Sequence, residues 1–311
     1  MWQPNAKTRS MSVGIPTLIL AIIAKRCHKQ ANKRFWGRVI RVMLRSIIDK
    51  NIQQPHTVRN HMRYFTSDTH FGHPLVTALR GFLNNGRLRT EYRDVWQAQG
   101  RAAAHAWIKQ YVRDNQTSFK AICDITRHEN TIIGNINETV GRDDELWILG
   151  DLSYRCTVEH TLDCLRRINC RHLHLIIGNH DRNFRLRSND ALYEDVFETI
   201  DDYREIDMEL PVLDGSGKPT AATARQTIGM STSPGSRIGR RTRQLAGKLE
   251  QVRRCGADHR RLAALWSYAS SIPDGTDPLS VNVGLDAWDF EPVSEQQLLA
   301  WFTFRHADQS K

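Results

Sequence analysis

Three stretches of the chain share one pattern, in which a short apolar run is followed by a small residue and then by side chains that bind metals. They are residues 63–68, 145–151 and 172–181. Short apolar runs bounded in this way predict buried strands. Between them, apolar residues recur at helical spacing over 121–139 and 157–168. Strands that alternate with helices predict an α/β domain with a largely parallel sheet.

The pattern is less regular outside these stretches. Helix formers over 83–120 predict a helical insertion within a main domain that runs over 62–302, before a tail at 303–311. Alternating apolar residues over 279–290 predict a strand. A helix is expected over 294–302, because Ser294 and Gln297 have the spacing of a capping box.

Positive charge is concentrated in two segments. The net charge is +10, but residues 1–61 hold 12 Lys/Arg and one acid, so the rest of the chain is close to neutral. Residues 218–261 hold 11 Lys/Arg and two acids, within an aberrant Arg-rich segment over 218–278. A solvated loop is the favoured interpretation of 218–261. A nucleic-acid-binding insertion is the alternative, although aromatic residues that would stack on bases are not interleaved there.

The N-terminal segment differs from the rest of the chain. Its apolar run over 13–24 is too short to cross a bilayer as a helix, and no clear cleavage site of a signal peptide follows it. Residues 33–48 have the character of a basic amphipathic helix at a membrane surface. The favoured interpretation is that 1–61 is an extension translated from an early start codon, ahead of a natural start at Met62.

Several function classes find no support in the sequence. The six cysteines include no Cys-x-x-Cys pair, so a zinc ribbon or a dithiol redox motif is not indicated. Such scattered cysteines are typical of reduced thiols in a cytoplasmic protein. There is also no Gly-x-Ser-x-Gly nucleophile elbow and no phosphate-binding loop of the Gly-x-x-x-x-Gly-Lys-[Ser/Thr] type.

The polar side chains that follow the three predicted strands are the best candidates for chemistry. They are Asp68 and His70, then Asp151, then Asn179, His180 and Asp181. Functional groups collect at the carboxyl ends of strands in open α/β sheets. Carboxylate, amide and imidazole ligands together suit Mn²⁺, Fe or Zn²⁺. Two such metals can hold a phosphate ester and lower the pKa of a bridging water, and Asp151 is the candidate for the bridging carboxylate.

These motifs resemble a known family. Asp68-x-His70, Gly150-Asp151 and the Gly-Asn-His-Asp run over 178–181 look like the signature of calcineurin-like metallophosphoesterases. The stretch over 64–73 and the tail over 281–293 resemble small bacterial and phage members in particular. The resemblance implies a four-layer α/β/β/α sandwich that hydrolyses phosphate mono- or diesters.

The resemblance also implies a role for each residue. Asp68 and His70 would bind the first of two divalent metal ions (Mn²⁺, Fe, Ni²⁺ or Zn²⁺). Asp151 would bridge both ions, and Asn179 would bind the second. His180 would protonate the leaving group or stabilise its charge. Asp181 would orient His180.

Two histidine motifs of the family are missing between Pro219 and Leu279, where His259 is the only histidine. Three hypotheses follow. The chain is an active esterase in which His73, His259 or another residue supplies the ligands; or it is an inactive relative that binds something, nucleic acid among the candidates; or it is a damaged gene product. For the third, permitted codons for 265–270, shifted by one base, encode a Gly-His-x-His motif, so a frameshift is one explanation.

Overall fold

A computed structural model describes residues 61–178, 180–181, 184, 187–213, 219–231, 263–266, 280–299 and 301. The sequence predictions for residues 1–60, for most of the Arg-rich segment and for the tail lie outside these residues. Within the described part of the chain, no helix is both long enough and apolar enough to cross a membrane.

Nine strands and six helices carry labels here. The strands are β1 (Arg63–Thr66), β2 (Glu145–Leu149), β3 (His172–Ile176), β4 (Thr199–Asp201), β5 (Arg204–Leu213), β6 (Pro219–Ser231), β7 (Ala263–Trp266), β8 (Ser280–Asn282) and β9 (Val293–Ser294). The helices are α1 (Pro74–Leu79), α2 (Gly86–Gln99), α3 (Arg101–Asp114), α4 (Phe119–Ile122), α5 (Ile125–Thr139) and α6 (Val158–Arg166). Short 3-10 helices run over Arg187–Tyr193 and Leu285–Ala287.

The five-stranded sheet has the order β4-β3-β2-β1-β9. Its first four strands are parallel, and β9 pairs antiparallel to β1. Alternate residues of β2 and β3, such as Leu146 and Leu173, join a buried cluster with Ile132 of α5 and Leu162 of α6. Because these helices lie between parallel strands in the sequence, they cover a face of the sheet, as in other α/β domains. The predicted α/β fold with a largely parallel sheet is confirmed.

A second sheet has the order β5-β6-β7-β8, with β5 and β6 antiparallel and the remaining pairs parallel. The two sheets share one buried apolar cluster. Phe65, Trp147 and Ile176 come from the first sheet, and Met208 and Met230 come from the second. The opposite faces of β1–β3 therefore pack on helices and on a sheet, which explains why these strands are apolar on both sides.

The segment over 83–120, where the sequence predicts helices, contains α2, α3 and the start of α4. The side chain of Asn85 caps α2 by accepting a hydrogen bond from the backbone of Leu88. Gly100 ends α2 and begins α3 at φ 85° and ψ 176°, a conformation that few residues other than glycine adopt. Helices α2 and α3 therefore form a hairpin with its own apolar cluster around Leu88, Tyr92 and Ile108.

One prediction was wrong for part of the Arg-rich segment. Residues 219–231 form β6, where a loop was expected over 218–261. Further along the Arg-rich segment, beyond the expected loop, residues 263–266 form β7. The pairing of β6 with β5 extends from Arg204↔Met230 to Leu213↔Pro219. This long antiparallel ladder supplies the backbone hydrogen bonds that a strand needs, whatever its apolar period. Pairing with β5 therefore explains why residues 219–231 are extended although their sequence shows no clear strand period.

The C-terminal part was predicted with mixed success. A strand was expected over 279–290, and among the described residues 280–290 it covers Ser280–Asn282. The chain then turns, because the Asn282 side chain accepts from the backbone of Gly284 and a 3-10 helix follows. The expected capping box is confirmed: Ser294 N donates to Gln297 Oε1 over 2.7 Å, Gln297 N donates to Ser294 Oγ over 3.2 Å, and residues 295–299 are helical.

Candidate metal centre

The loops that follow β1 and β2 continue the pairing of the two strands. Asp68 N donates to Gly150 O over 3.1 Å, and His70 N donates to Asp151 O over 2.9 Å. These bonds hold the two loops side by side at the carboxyl edge of the parallel sheet. Asp68 and His70 thus come from the loop after β1, and Asp151 comes from the adjacent loop after β2.

The three side chains converge on one buried point. One ligand atom from each of Asp68, His70 and Asp151 lies within 4.8 Å of the other two. His70 Nε2 is 3.5 Å from Asp68 Oδ1 and 3.8 Å from Asp151 Oδ2. A cation bound at about 2.0–2.2 Å from nitrogen and oxygen ligands holds them roughly 3 Å or more apart. The observed spacing therefore fits the first coordination shell of one metal ion.

The backbone at these three residues is strained. Asp68, His70 and Asp151 have φ angles of 59°, 47° and 53°, in the left-handed region that few non-glycine residues occupy. Each such conformation costs about 1–3 kcal/mol and persists only where the surrounding structure imposes it. Because these three strained residues also converge on one buried point, they are better explained by a functional site than by core packing.

The loop after β3 closes the cluster. His180 N donates to Asp151 Oδ1 over 3.1 Å, and His180 Nε2 lies 4.0 Å from Asp151 Oδ2. The side chain of His180 is 40% exposed, whereas Asp68 and Asp151 are buried. His180 therefore lies between the buried carboxylates and solvent.

Asp181 ties the loops to one another. Its two carboxylate oxygens accept from Leu152 N and from Gly178 N, both over 2.7 Å. The residue is buried, and burial raises its pKa to about 6 even though the two backbone bonds favour the ionised form. The carboxylate thus joins the end of β3 to the loop after β2 and fixes the backbone that carries His180.

Gly178 allows these loops to approach. A Cβ at this position would collide with the backbone nitrogen of Asp151 and would lie 2.6 Å from Asp151 Oδ1 and 2.9 Å from Asp181 Oδ2. The close contact between the ends of β2 and β3 therefore requires glycine in the Gly-Asn-His-Asp run.

The electrostatics of the cluster favour a cation. Burial raises the pKa of Asp151, and the nearby Asp68 carboxylate adds to this effect, while His70 opposes it. A metal ion would offset both the burial and the repulsion between carboxylates. Among the described residues, no hydrogen-bond partner is found for the buried Nδ1 atoms of His70 and His73. Two orphaned imidazole nitrogens beside paired carboxylates fit a centre that holds metal.

Two aromatic side chains border the cluster. His73 stacks on Tyr154, with ring centroids 4.2 Å apart, and its ring lies 5.4 Å from that of His70. Tyr154 also meets the edge of His180 at 5.3 Å. Burial, followed by the charges of His70 and His180, lowers the pKa of His73 to about 3, so this imidazole is neutral. The sequence analysis considered His73 as an alternative metal ligand. It did not predict Tyr154, which no sequence pattern indicates.

The sequence-predicted residues thus divide into two groups. Asp68, His70, Asp151, His180 and Asp181 lie together at the edge of the parallel sheet. The predicted ligand Asn179 and the alternative ligand His259 lie outside the described residues.

No protein-family model matches the chain, and no curated protein matches it. One solved structure is similar, a protein of unknown function named AQ665 from Aquifex aeolicus. The match has 16% sequence identity and a TM-score of 0.42, and it covers 77% of this chain and 98% of that one.

Proposed function

We propose that this chain is a metal-dependent phosphoesterase that hydrolyses phosphate mono- or diesters at a dinuclear centre. The observation that carries the proposal is the convergence of Asp68, His70 and Asp151 on one buried point. All three are held there in left-handed backbone at the ends of adjacent parallel strands. Buried carboxylates with an imidazole suit a divalent metal of the Mn²⁺, Fe, Ni²⁺ or Zn²⁺ type.

Each residue has a role that its position supports. Asp68 and His70 would hold the first ion, and Asn179 the second. Asp151 would bridge the ions, since its carboxylate faces both His70 and His180. Bound metals would supply an activated water and would neutralise charge on the phosphate. The partly exposed His180 would donate a proton to the leaving oxygen, and Asp181 would hold the loop that positions it.

The proposed fold is the four-layer α/β/β/α sandwich of calcineurin-like metallophosphoesterases. Two features of the described residues support it. The two sheets share one apolar cluster, and α5 and α6 pack on the other side of the five-stranded sheet.

The two missing histidine motifs leave coordination positions to be filled by other groups. His73 is the best placed of the described residues, because its buried Nδ1 has no partner among them and its ring lies 5.4 Å from that of His70. A rotation of the His73 side chain would bring a neutral imidazole toward the cluster. Water would occupy any position that remains open.

The test is hydrolysis of bis(p-nitrophenyl) phosphate and p-nitrophenyl phosphate by the full chain with added Mn²⁺. Asp151→Asn should lower the metal-dependent rate by at least about a hundredfold, since even partners outside the first shell cost 10–100-fold. The matched control is Asp163→Asn, which changes an exposed carboxylate on α6 and should keep the full rate. Folded wild-type protein with no turnover above Asp151→Asn would show the proposal to be wrong and would leave an inactive binding protein as the explanation.

A further inference from the structure

A second group of metal-ligand side chains lies between α5 and α6. One ligand atom from each of Glu129, His160 and Cys164 lies within 4.8 Å of the other two. Glu129 belongs to α5, and His160 and Cys164 belong to α6 at positions i and i+4, which places them on one face of that helix. Glu129 and Cys164 are buried, and the His160 side chain is 41% exposed.

A second cysteine borders the same point. Cys156 Sγ contacts Thr161 Oγ1 at 3.3 Å, in the first turn of α6. A Cβ added to Gly72 would lie 3.0 Å from Cys156 Sγ and 3.7 Å from His160 Cδ2, so both side chains face Gly72. The backbone nitrogen of Gly72 donates to Glu129 Oε1 over 2.9 Å. We define the α5–α6 cluster as Glu129, Cys156, His160 and Cys164.

We propose that the α5–α6 cluster binds a zinc ion, through Glu129, His160 and Cys164 with Cys156 as the fourth ligand. Thiolate, imidazole and carboxylate together are a zinc ligand set, and thiolates disfavour Mn²⁺ and Mg²⁺.

The distances among Glu129, His160 and Cys164 are close to those of a tetrahedral site. Zinc at about 2.0–2.3 Å from its ligands holds them roughly 3.3–3.7 Å apart. His160 Nε2 lies 2.7 Å from Glu129 Oε1 and 3.9 Å from Cys164 Sγ. Movements of less than about 1 Å would therefore bring His160 to coordination distance from an ion shared with Glu129 and Cys164. Cys156 Sγ lies more than 4.8 Å from at least one of these three ligand atoms, so the Cys156 side chain would turn toward the ion to complete the tetrahedron. Burial and then the Glu129 carboxylate raise the pKa of the Cys164 thiol to about 12, so metal binding would displace a proton from this sulfur.

The position of the cluster gives the metal a structural role. It would join α5 and α6 to the loop after β1, two residues from His70, since Glu129 already holds Gly72 in that loop. This site is separate from the candidate phosphoesterase centre and does not depend on the proposed function. All the protein ligands proposed for the phosphoesterase centre are nitrogen or oxygen atoms, so a sulfur signal distinguishes the two sites.

The test is a titration of the full, reduced chain with Co²⁺, a spectroscopic substitute for zinc, followed by the near-ultraviolet sulfur-to-cobalt charge-transfer band. Wild-type protein, Asp151→Asn and Cys170→Ser should all show the band, because Cys170 is a buried cysteine outside the cluster. Cys164→Ser and His160→Ala should weaken Co²⁺ binding by roughly tenfold or more. Cys156→Ser should lower the intensity of the band to about half, since one of two thiolates is lost.

His160 is partly exposed, so His160→Ala should fold even if Cys164→Ser does not. In that case, the test compares Co²⁺ binding by His160→Ala with binding by the wild type. Absence of the band in folded wild-type protein would overturn the proposal. So would a band that persists unchanged in His160→Ala and Cys164→Ser, since it would then come from other cysteines of the chain.

Discussion

At the scale of single residues, the candidate centre depends on close approach of the loops after β2 and β3. Gly178 has no side chain, and Asp181 binds the backbone on both sides of the gap. The left-handed backbone of Asp68, His70 and Asp151 then aims three side chains at one point. The hydrogen bonds between the loops after β1 and β2 hold this strained backbone in place.

Gly178→Ala should therefore lower the free energy of unfolding by about 1–3 kcal/mol, because the new Cβ collides with the Asp151 backbone. The variant should also bind metal more weakly. The free energy of unfolding is measured by urea denaturation followed by circular dichroism. Gly134→Ala is the matched control, since a Cβ there meets nothing within 4 Å inside α5. That variant should be unchanged or more stable by up to about 1 kcal/mol. Equal stability of Gly178→Ala and wild type would contradict the account of this glycine.

Some residues of the two candidate metal sites could be predicted from the sequence, and others could not. Asp68, His70 and Asp151 were predicted because each follows an apolar strand, and parallel strands end at the same edge. Tyr154 and the α5–α6 cluster were not predicted. Their partners are brought together by packing of helices and loops far apart in the chain, which leaves no fixed spacing to recognise. The His160-x-x-x-Cys164 spacing on one helix was the nearest available signal.

At the scale of elements, Asp286 joins three parts of the structure. Its carboxylate pairs with Arg80 at 2.9 Å, at the end of α1, and with Arg101 at 3.3 Å, at the start of α3. Arg80 also donates to the backbone oxygen of Asp68 over 2.8 Å. The 3-10 helix Leu285–Ala287 thereby supports both the helical insertion and the strained loop of the candidate centre.

This ion pair predicts a specific dependence of stability on pH. Burial alone would raise the pKa of Asp286, but Arg80 and Arg101 outweigh it and lower the pKa from 3.8 to about 2. The ionised carboxylate therefore stabilises the fold above about pH 4, and this contribution is lost as the pH falls toward 2. The ionised carboxylate thus contributes about 2 kcal/mol to the free energy of unfolding.

The measurement is the free energy of unfolding of wild type and Asp286→Asn between pH 7 and pH 2. The variant should be less stable by about 3–5 kcal/mol near neutral pH, since two buried guanidinium groups lose their partner. The difference should shrink below pH 4. Asp163→Asn, on an exposed carboxylate, should follow the wild-type curve. A difference that stays constant down to pH 2 would rule out Asp286 as the titrating group.

Helices and strands with a local sequence signal were predicted, and those held by distant contacts were not. The apolar runs of β1, β2 and β3 and the capping box at Ser294 and Gln297 were predictable because their signals are local. The strand β6 was not, because its long pairing with β5, rather than its own period, holds it extended. The salt bridges of Asp286 join positions as many as 206 residues apart, which no local pattern encodes.

At the scale of the whole molecule, the two sheets share one apolar cluster, so they should unfold together. Phe65 of β1 is fully buried in this cluster. Phe65→Ala should lower the free energy of unfolding by about 3–5 kcal/mol in a single transition. Leu192→Ala, at an exposed leucine with 52% of its surface accessible, should change it by less than about 0.5 kcal/mol. Two separate transitions in denaturant would show that the sheets are independent units.

The central claim is that Asp68, His70 and Asp151 form a metal centre, and the binding of Mn²⁺ tests it most directly. Free Mn²⁺ has an electron paramagnetic resonance signal that weakens on binding, and the thiols of the α5–α6 cluster do not favour this ion. Wild type and Asp163→Asn should bind at least one Mn²⁺, and Asp151→Asn should bind it at least about tenfold more weakly. Equal binding by all three folded proteins, or none by the wild type, would contradict the account.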